Sequence, residues 1–522
     1  MRKRAMGKPL YLTTTLPYVN AEPHIGFALE MVQADVIARY HTLLGDEVFF
    51  NTGTDEHGLK IYRKAAEEGK DTQAYADEYA AKFRALKEKL GLSPDLHFVR
   101  TTEPRHKAAA QEMWRRCLAK GDIFKKKYKG LYCVGDEAFV KETELVDGKC
   151  PNHPTMEPIE IEEENYFFRL SAYQEKLLEY LSREGVIVPQ WRREEAINFV
   201  KQGLEDFSIS RTKEKMPWGI AVPDDETQVM YVWFDALTNY ISTLGWPCFA
   251  KATQGKPDGC LFEKFWTNGT TLQLAGKDQV RFQSIMWQAM LMSAGLKETD
   301  TVFYHGFITS DGKKMSKSLG NVIDPLAIVD EYGIDALRYF LARHVHSFED
   351  SDFTIEKFKE IYNANLANGL GNLAARVMQL AESNLDKPVF EGGETFVFAY
   401  SPQIRDAMQS YDLNAVMDNI WAAVSEIDQS IQKDEPFKVV KEDKQRGAEM
   451  IVKMVKHLAW IAKAIEPFMP ETSATILAAV LANKKPTNLF PRKDLASSVP
   501  VVSKVPHFAI PKKKKKKRGW FE

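Results

Sequence analysis

Between positions 313 and 321 the chain reads Lys313-Lys314-Met315-Ser316-Lys317-Ser318-Leu319-Gly320-Asn321. Three lysines, two serine hydroxyls and a glycine on one short loop suit a polyphosphate. Lysine supplies point charge, serine a small donor, and glycine lets backbone N–H groups approach closely. A basic loop of this kind is more often a solvated face, so the chemistry needs a second segment closing on the same anion. His24-Ile25-Gly26-Phe27 is the candidate. It follows the breaker-rich stretch Leu16-Pro17-Tyr18-Val19-Asn20-Ala21-Glu22-Pro23 and opens a run with apolar residues at Ala28, Met31, Val32, Val36 and Ile37. That spacing is helical. A helix N-terminus favours phosphate, although a lone histidine there is more often a cap or a packed side chain.

Two strand-and-loop units place these groups. Residues 10–15 are β-branched and aromatic and read as a buried strand before the first loop. A second strand, 47–51, ends at Gly53-Thr54-Asp55-Glu56-His57-Gly58. In the second half, residues 228–237 read as a strand running into a helix that carries Tyr240. Residues 271–275 form another buried strand ending at Gly276-Lys277-Asp278, and 302–308 leads into the lysine loop. Strands alternating with helices predict a parallel, doubly wound α/β sheet of the Rossmann type, with ligands at the carboxyl ends of its strands. Residues 75–90 and 103–121 read as amphipathic helices. After Asp324 the pattern is all helix: 325–332, 334–342, 358–382, 402–433 and 438–466. This predicts an α-helical bundle.

At 522 residues the chain exceeds one domain. Net charge is −2, so no global positive field recruits nucleic acid, and RNA binding must use local patches. Five scattered cysteines point to a reducing, cytoplasmic location. No apolar run has the length of a membrane span. Met1-Arg2-Lys3-Arg4 is basic but lacks the apolar stretch of a signal peptide.

Lys-Met-Ser-Lys-Ser resembles the second ATP motif of the class I aminoacyl-tRNA synthetases. Pro17 to Gly26 resembles their first motif, in the form carried by the methionyl-tRNA synthetase family, and Gly-Thr-Asp-Glu-His-Gly resembles that family's next block. The blocks Glu164-Asn165-Tyr166-Phe167-Phe168-Arg169 and Tyr231-Val232-Trp233-Phe234-Asp235-Ala236 are similar to it as well. The resemblance covers residues 9–492 and implies ATP-dependent activation of methionine, with Mg²⁺, followed by transfer to tRNA. It implies phosphate and nucleotide binding by His24, Gly26, Gly276, Asp278, Lys314, Ser316, Lys317 and Ser318, with His24, Lys314 and Lys317 acting in catalysis. It implies a methionine pocket of Leu16, Tyr18, Asp55, Trp233, Ala236, Tyr240, Gln283 and Trp287, with Asp55 on the α-ammonium. Asn372, Arg376, Pro436 and Phe437 would read the anticodon. Cys133, Asp136, Cys150 and His153 match a zinc knuckle, with Asp136 where the family has cysteine; soft-ligand preference argues against zinc there.

Three departures stand out. Phe27 replaces the second histidine of the first motif and cannot donate to a phosphate. One lost charge-assisted hydrogen bond is worth ~1.5–3 kcal/mol, or roughly 10- to 100-fold in rate. Gln279 and Gln283 place amides where an apolar residue and a histidine are usual. These departures keep open a slow or non-catalytic tRNA-binding descendant, and a different class I ligase. The resemblance divides the chain into a basic end (1–8), a first catalytic half (9–115), a connective insertion (116–226), and a second catalytic half (227–324). A stem-contact connection (325–365), an anticodon-binding bundle (366–492) and a lysine-rich tail (493–522) follow. The tail is too short for the dimerising domain of some relatives, so a monomer is expected.

Overall fold

The computed structural model describes residues 7–20, 22–134, 138–140, 142–151, 156–248, 261–310, 312–315, 321–390 and 398–493. Its centre is a six-stranded sheet. β1 (Pro9–Thr13), β2 (Glu47–Thr54) and β3 (His97–Arg100) make one half. Strands Thr270–Gly276, Thr301–His305 and Ile187–Val188 make the other. The spatial order is β3-β2-β1, then 270–276, 301–305 and 187–188. Every neighbouring pair is parallel. The order reverses between β1 and Thr270–Gly276, which opens a crevice at their carboxyl ends.

Three sequence expectations are corrected here. Residues 302–308 are not one strand: His305 ends the first, and Ile308–Ser310 starts another that pairs with Lys313–Lys314 and with Ser351–Phe353. The break sits at Gly306, where a Cβ would meet the Glu349 backbone at 2.1 Å. The strand before Trp233, Asp225–Met230, lies outside the central sheet in a small antiparallel one. Within the expected 116–226 insertion, the long hairpin Ile123–Cys133 and Ile159–Phe168 does form its own antiparallel sheet. However, Ile187–Val188 returns to the edge of the central sheet beside Val302 and Phe303, so the span is not a unit apart.

α1 (Ile25–Leu44) is buried nearly all round. Each polar side chain carried inside must then find a partner. Gln33 donates to the Ser347 carbonyl at 3.4 Å. Asp35 accepts from Arg39 at 2.6 Å, from Arg338 at 2.7 Å and from the Ser93 N–H at 2.6 Å. Burial alone would raise the Asp35 pKa. The two guanidinium groups outweigh it and hold the carboxyl below its usual range. Arg338, fully buried on helix Ile334–Arg343, also donates to the carbonyls of Pro467 and Phe468, each at 2.8 Å, and of Leu90 at 3.2 Å. One side chain thus ties the catalytic half to the C-terminal helices. The apolar core is continuous across the same junction.

The C-terminal part is a bundle of Asn372–Asn384, Leu413–Asp434, Lys444–Ala464 and Pro470–Ala482. The expected helix 402–433 breaks at Tyr411, which has φ 58°, and restarts where Asp412 caps the Ala415 N–H. The expected helix 438–466 likewise restarts where Asp443 caps Arg446. The expected helix 358–382 is interrupted by a π-helical turn, Tyr362–Gly371. Among the described residues no helix is long and apolar enough to cross a membrane.

Removing one partner of a buried ion pair leaves the other uncompensated. Asp35→Ala is therefore expected to lose about 3–5 kcal/mol in urea unfolding at pH 7. Because the folded carboxyl titrates below its unfolded value, that difference should shrink as pH falls through the depressed pKa. A loss under about 1 kcal/mol at pH 7 would show that Arg338 is anchored without Asp35.

Candidate active site

A cavity of about 810 Å³ opens at the carboxyl edge, at the reversal of strand order. Its first wall is the loop after β1. Asp55 sits beside that loop: its N–H donates to the Pro17 carbonyl at 3.0 Å, and its carbonyl accepts from Val19 at 3.3 Å. Leu16, Tyr18 and the nearly buried Asp55 therefore line one side together. The opposite wall comes from the second half. Trp233 and Ala236 project from helix Val232–Leu237, Tyr240 from the next turn, and Phe282 and Gln283 from the turn after Asp278. Trp233 stacks on Phe282 at 3.8 Å and meets the Tyr18 ring edge-on at 6.4 Å.

Two amides sit in this wall. Gln283 is buried and its Nε2 donates to the Tyr240 hydroxyl, while its Oε1 has no hydrogen-bond partner among the described residues. Burial pushes the Tyr240 pKa up, so the phenol stays protonated. Having accepted from Gln283, it keeps its own O–H to donate. Gln279 turns its amide nitrogen to Asp278 at 3.3 Å. Trp287 does not line the cavity; it is fully buried behind Tyr240, with ring centroids 5.8 Å apart.

The other end of the cavity carries His24. His24 caps α1, its Nδ1 accepting from the Gly26 N–H at 3.1 Å. An accepting Nδ1 puts the ring proton on Nε2, which can donate outward. A Cβ at Gly26 would come within 3.1 Å of that ring, so glycine leaves it room. Phe27 also lines the cavity and packs edge-on against Phe83 at 5.2 Å. An aromatic pair thus stands where the family motif has a histidine.

The described segment just past the lysine loop reaches the same place. The Ile25 N–H, in the first turn of α1, donates to the Ile323 carbonyl at 3.1 Å. Ile323 lies just past the loop, and Met315 and Ile323 both pack against the core that contains α1. Lys313–Lys314 is a short strand. Ser316, Lys317 and Ser318 lie outside the described residues. Asp278 lines the cavity beyond Gly276, where a Cβ would meet Asp278 Oδ1 at 2.9 Å.

Sequence reading missed a buried ion pair beneath this end. Glu30 accepts from the Thr15 N–H at 2.6 Å and the Thr15 hydroxyl at 2.7 Å, and faces His305 Nε2 at 2.8 Å. The other ring nitrogen of His305 faces the Gly306 carbonyl at 2.8 Å. Both neighbours are acceptors, so the ring must donate twice and is an imidazolium. Burial would lower its pKa, but Glu30 raises it above the usual value. The only sequence signal was Glu30 falling one turn past Gly26 on the motif helix.

The knuckle candidates divide. Cys133 and Cys150 are buried, and Cys150 lines the cavity. Asp136 and His153 lie outside the described residues, and among the described ones no group of three or more His, Cys, Asp or Glu side chains is arranged to hold a metal ion. In the bundle, Asn372 and Arg376 sit one turn apart on Asn372–Asn384. Arg376 pairs with Asp428 at 2.6 Å, and Phe437 is 40% exposed.

Comparison with known proteins agrees along most of the chain. Residues 10–158 and 153–378 match the family model of the class I tRNA synthetases (M). Residues 394–517 match the anticodon binding domain of methionyl tRNA ligase. The methionine–tRNA ligase of Rhizobium meliloti is 41% identical over 90% of this chain and 92% of its own length. That of Thermotoga maritima is 39% identical over 91% of this chain and 76% of its own. The Mycobacterium tuberculosis methionyl-tRNA synthetase in complex with methionyl-adenylate superposes with a TM-score of 0.81, at 36% identity, over 93% of this chain and 99% of its own. From the lysine loop to the anticodon bundle, the chain belongs to the class I methionyl-tRNA synthetases.

Proposed function

We propose that this chain is a methionine–tRNA ligase that joins methionine to ATP as an adenylate and then to the 3′ end of tRNA. The observation that carries this reading is the single cavity that joins Asp55, an aromatic wall and His24. Asp55 pairs with the α-ammonium. Leu16, Tyr18, Trp233 and Ala236 enclose the side chain. The thioether sulfur is a weak acceptor, and the protonated Tyr240 hydroxyl, oriented by Gln283, is the donor that suits it. Trp287 supports Tyr240 from behind.

The methionine carboxylate then attacks the α-phosphorus. A C–O–P bond forms, the bond to the β-phosphate breaks, and pyrophosphate leaves. Little covalent chemistry falls to the protein; positioning and charge neutralisation carry the rate. His24 donates from Nε2, Lys314 and Lys317 hold the leaving phosphates, and Ser316 and Ser318 add donors. Asp278 takes the ribose hydroxyls, with Gly26 and Gly276 allowing close approach. Mg²⁺ would be held by the ATP phosphates themselves and would supply neutralisation of their charge. In the second step a terminal ribose hydroxyl of tRNA attacks the carbonyl and AMP leaves. Asn372, Arg376, Pro436 and the exposed Phe437 contact the anticodon. A monomer in the cytoplasm is part of this reading.

Lys317→Ala is expected to lower methionine-dependent ATP–pyrophosphate exchange by about 100-fold or more; an unchanged rate would remove the loop from the mechanism. Phe437→Ala is expected to weaken tRNA aminoacylation by the ~1–3 kcal/mol of one base–aromatic stack. Exchange without tRNA should be unaffected. Equal loss in both assays would place Phe437 in the fold, not in recognition.

A further inference from the structure

Asp235 lies between Trp233 and Ala236 on one short helix and is fully buried. One carboxylate oxygen faces His57 Nδ1 at 2.7 Å and the other faces His106 Nε2 at 2.7 Å. His106 Nδ1 in turn faces the Ser242 hydroxyl at 3.0 Å. Burial would raise the Asp235 pKa, but the two imidazoles outweigh it and hold it at about 2. The group is a carboxylate at any working pH and accepts from both rings.

The placement of the three residues matters more than the network itself. His57 is two residues from Asp55, in the loop that closes the ammonium end of the cavity. That loop is fastened further by the Trp218 indole N–H, which donates to the Glu56 carbonyl at 2.6 Å. Asp235 shares a helical turn with the two residues of the apolar wall. The His57–Asp235 bond therefore joins the two ends of the amino-acid pocket directly. His106, on helix Pro104–Ala119, holds Asp235 from the far side.

We propose that the His57–Asp235–His106 relay is a positioning device for amino-acid specificity: it fixes the separation between the Asp55 carboxylate and the Trp233–Ala236 wall. An amino acid tethered at its ammonium then reaches the wall only with the right side-chain length. Packing alone tolerates a methylene more or less, because apolar contact is non-directional. A short hydrogen bond to a buried carboxylate does not slide. This inference rests on Asp55 binding the α-ammonium.

The test is pyrophosphate exchange at saturating ATP with methionine, with S-methylcysteine (one methylene shorter) and with ethionine (one longer). Asp235→Asn keeps the shape but can accept from only one ring. His57→Ala removes one donor, and His57→Asn places an amide N–H where Nδ1 stands. Asp235→Asn and His57→Ala should raise KM for methionine about 10-fold, with kcat changed less than about 3-fold and KM for ATP unchanged. The preference for methionine over the two analogues should fall about 10-fold, and His57→Asn should restore it. Unchanged discrimination in folded Asp235→Asn, with only a lower melting temperature, would overturn the proposal. So would His57→Asn behaving as His57→Ala. If Asp55→Asn leaves KM for methionine unchanged, the reading of Asp55 fails instead, and the two failures are distinguishable.

Discussion

A helix buried nearly all round has little solvent to satisfy the polar groups it carries inside, and this constraint organises the molecule. α1 runs through the centre with Glu30, Gln33 and Asp35 all inside. Each is answered by a different part of the chain. Glu30 meets Thr15 and His305 at the ends of two central strands. Gln33 meets Ser347, and Asp35 meets Arg338 of helix Ile334–Arg343. His24 at the N-terminus of the same helix is thereby fixed relative to the strands, the lysine loop and the anticodon bundle at once. The Ile25–Ile323 hydrogen bond is the visible closure of that arrangement.

The site is built by the same logic of distant segments sharing one edge. The first half of the sheet supplies the Asp55 carboxylate and the His24 ring. The second half supplies the aromatic wall and Asp278. The crevice between β1 and Thr270–Gly276 is where a doubly wound sheet leaves room for both. An insertion between the halves is tolerated because the sheet closes without it, apart from the edge strand Ile187–Val188, which the second half takes back. Phe27 shows how a departure from the family pattern is absorbed. Its ring finds Phe83, so the fold gains an aromatic contact at the position where the family motif has a histidine.

Much of this was legible in the sequence. Lys313 to Ser318, Pro17 to Gly26 and Gly53 to Gly58 are local strings whose order carries their chemistry, and the strand-helix alternation places them at one sheet edge. What could not be read was pairing without a local signature. Glu30 and His305 are 275 positions apart, and His57 and Asp235 are 178 apart. Nothing in spacing announces either contact. The helix breaks at Tyr411 and Asp443 were missed for the opposite reason. The apolar stripe continues across each break, while the interruption rests on one positive φ or one aspartate cap.

The central claim is that α1 and the lysine loop close on one ATP beside one methionine. The most direct measurement is ATP–pyrophosphate exchange by the purified wild-type chain, without tRNA, against all twenty amino acids. The account predicts exchange with methionine far above every other amino acid. No exchange with methionine, or faster exchange with leucine, isoleucine or valine, would contradict it.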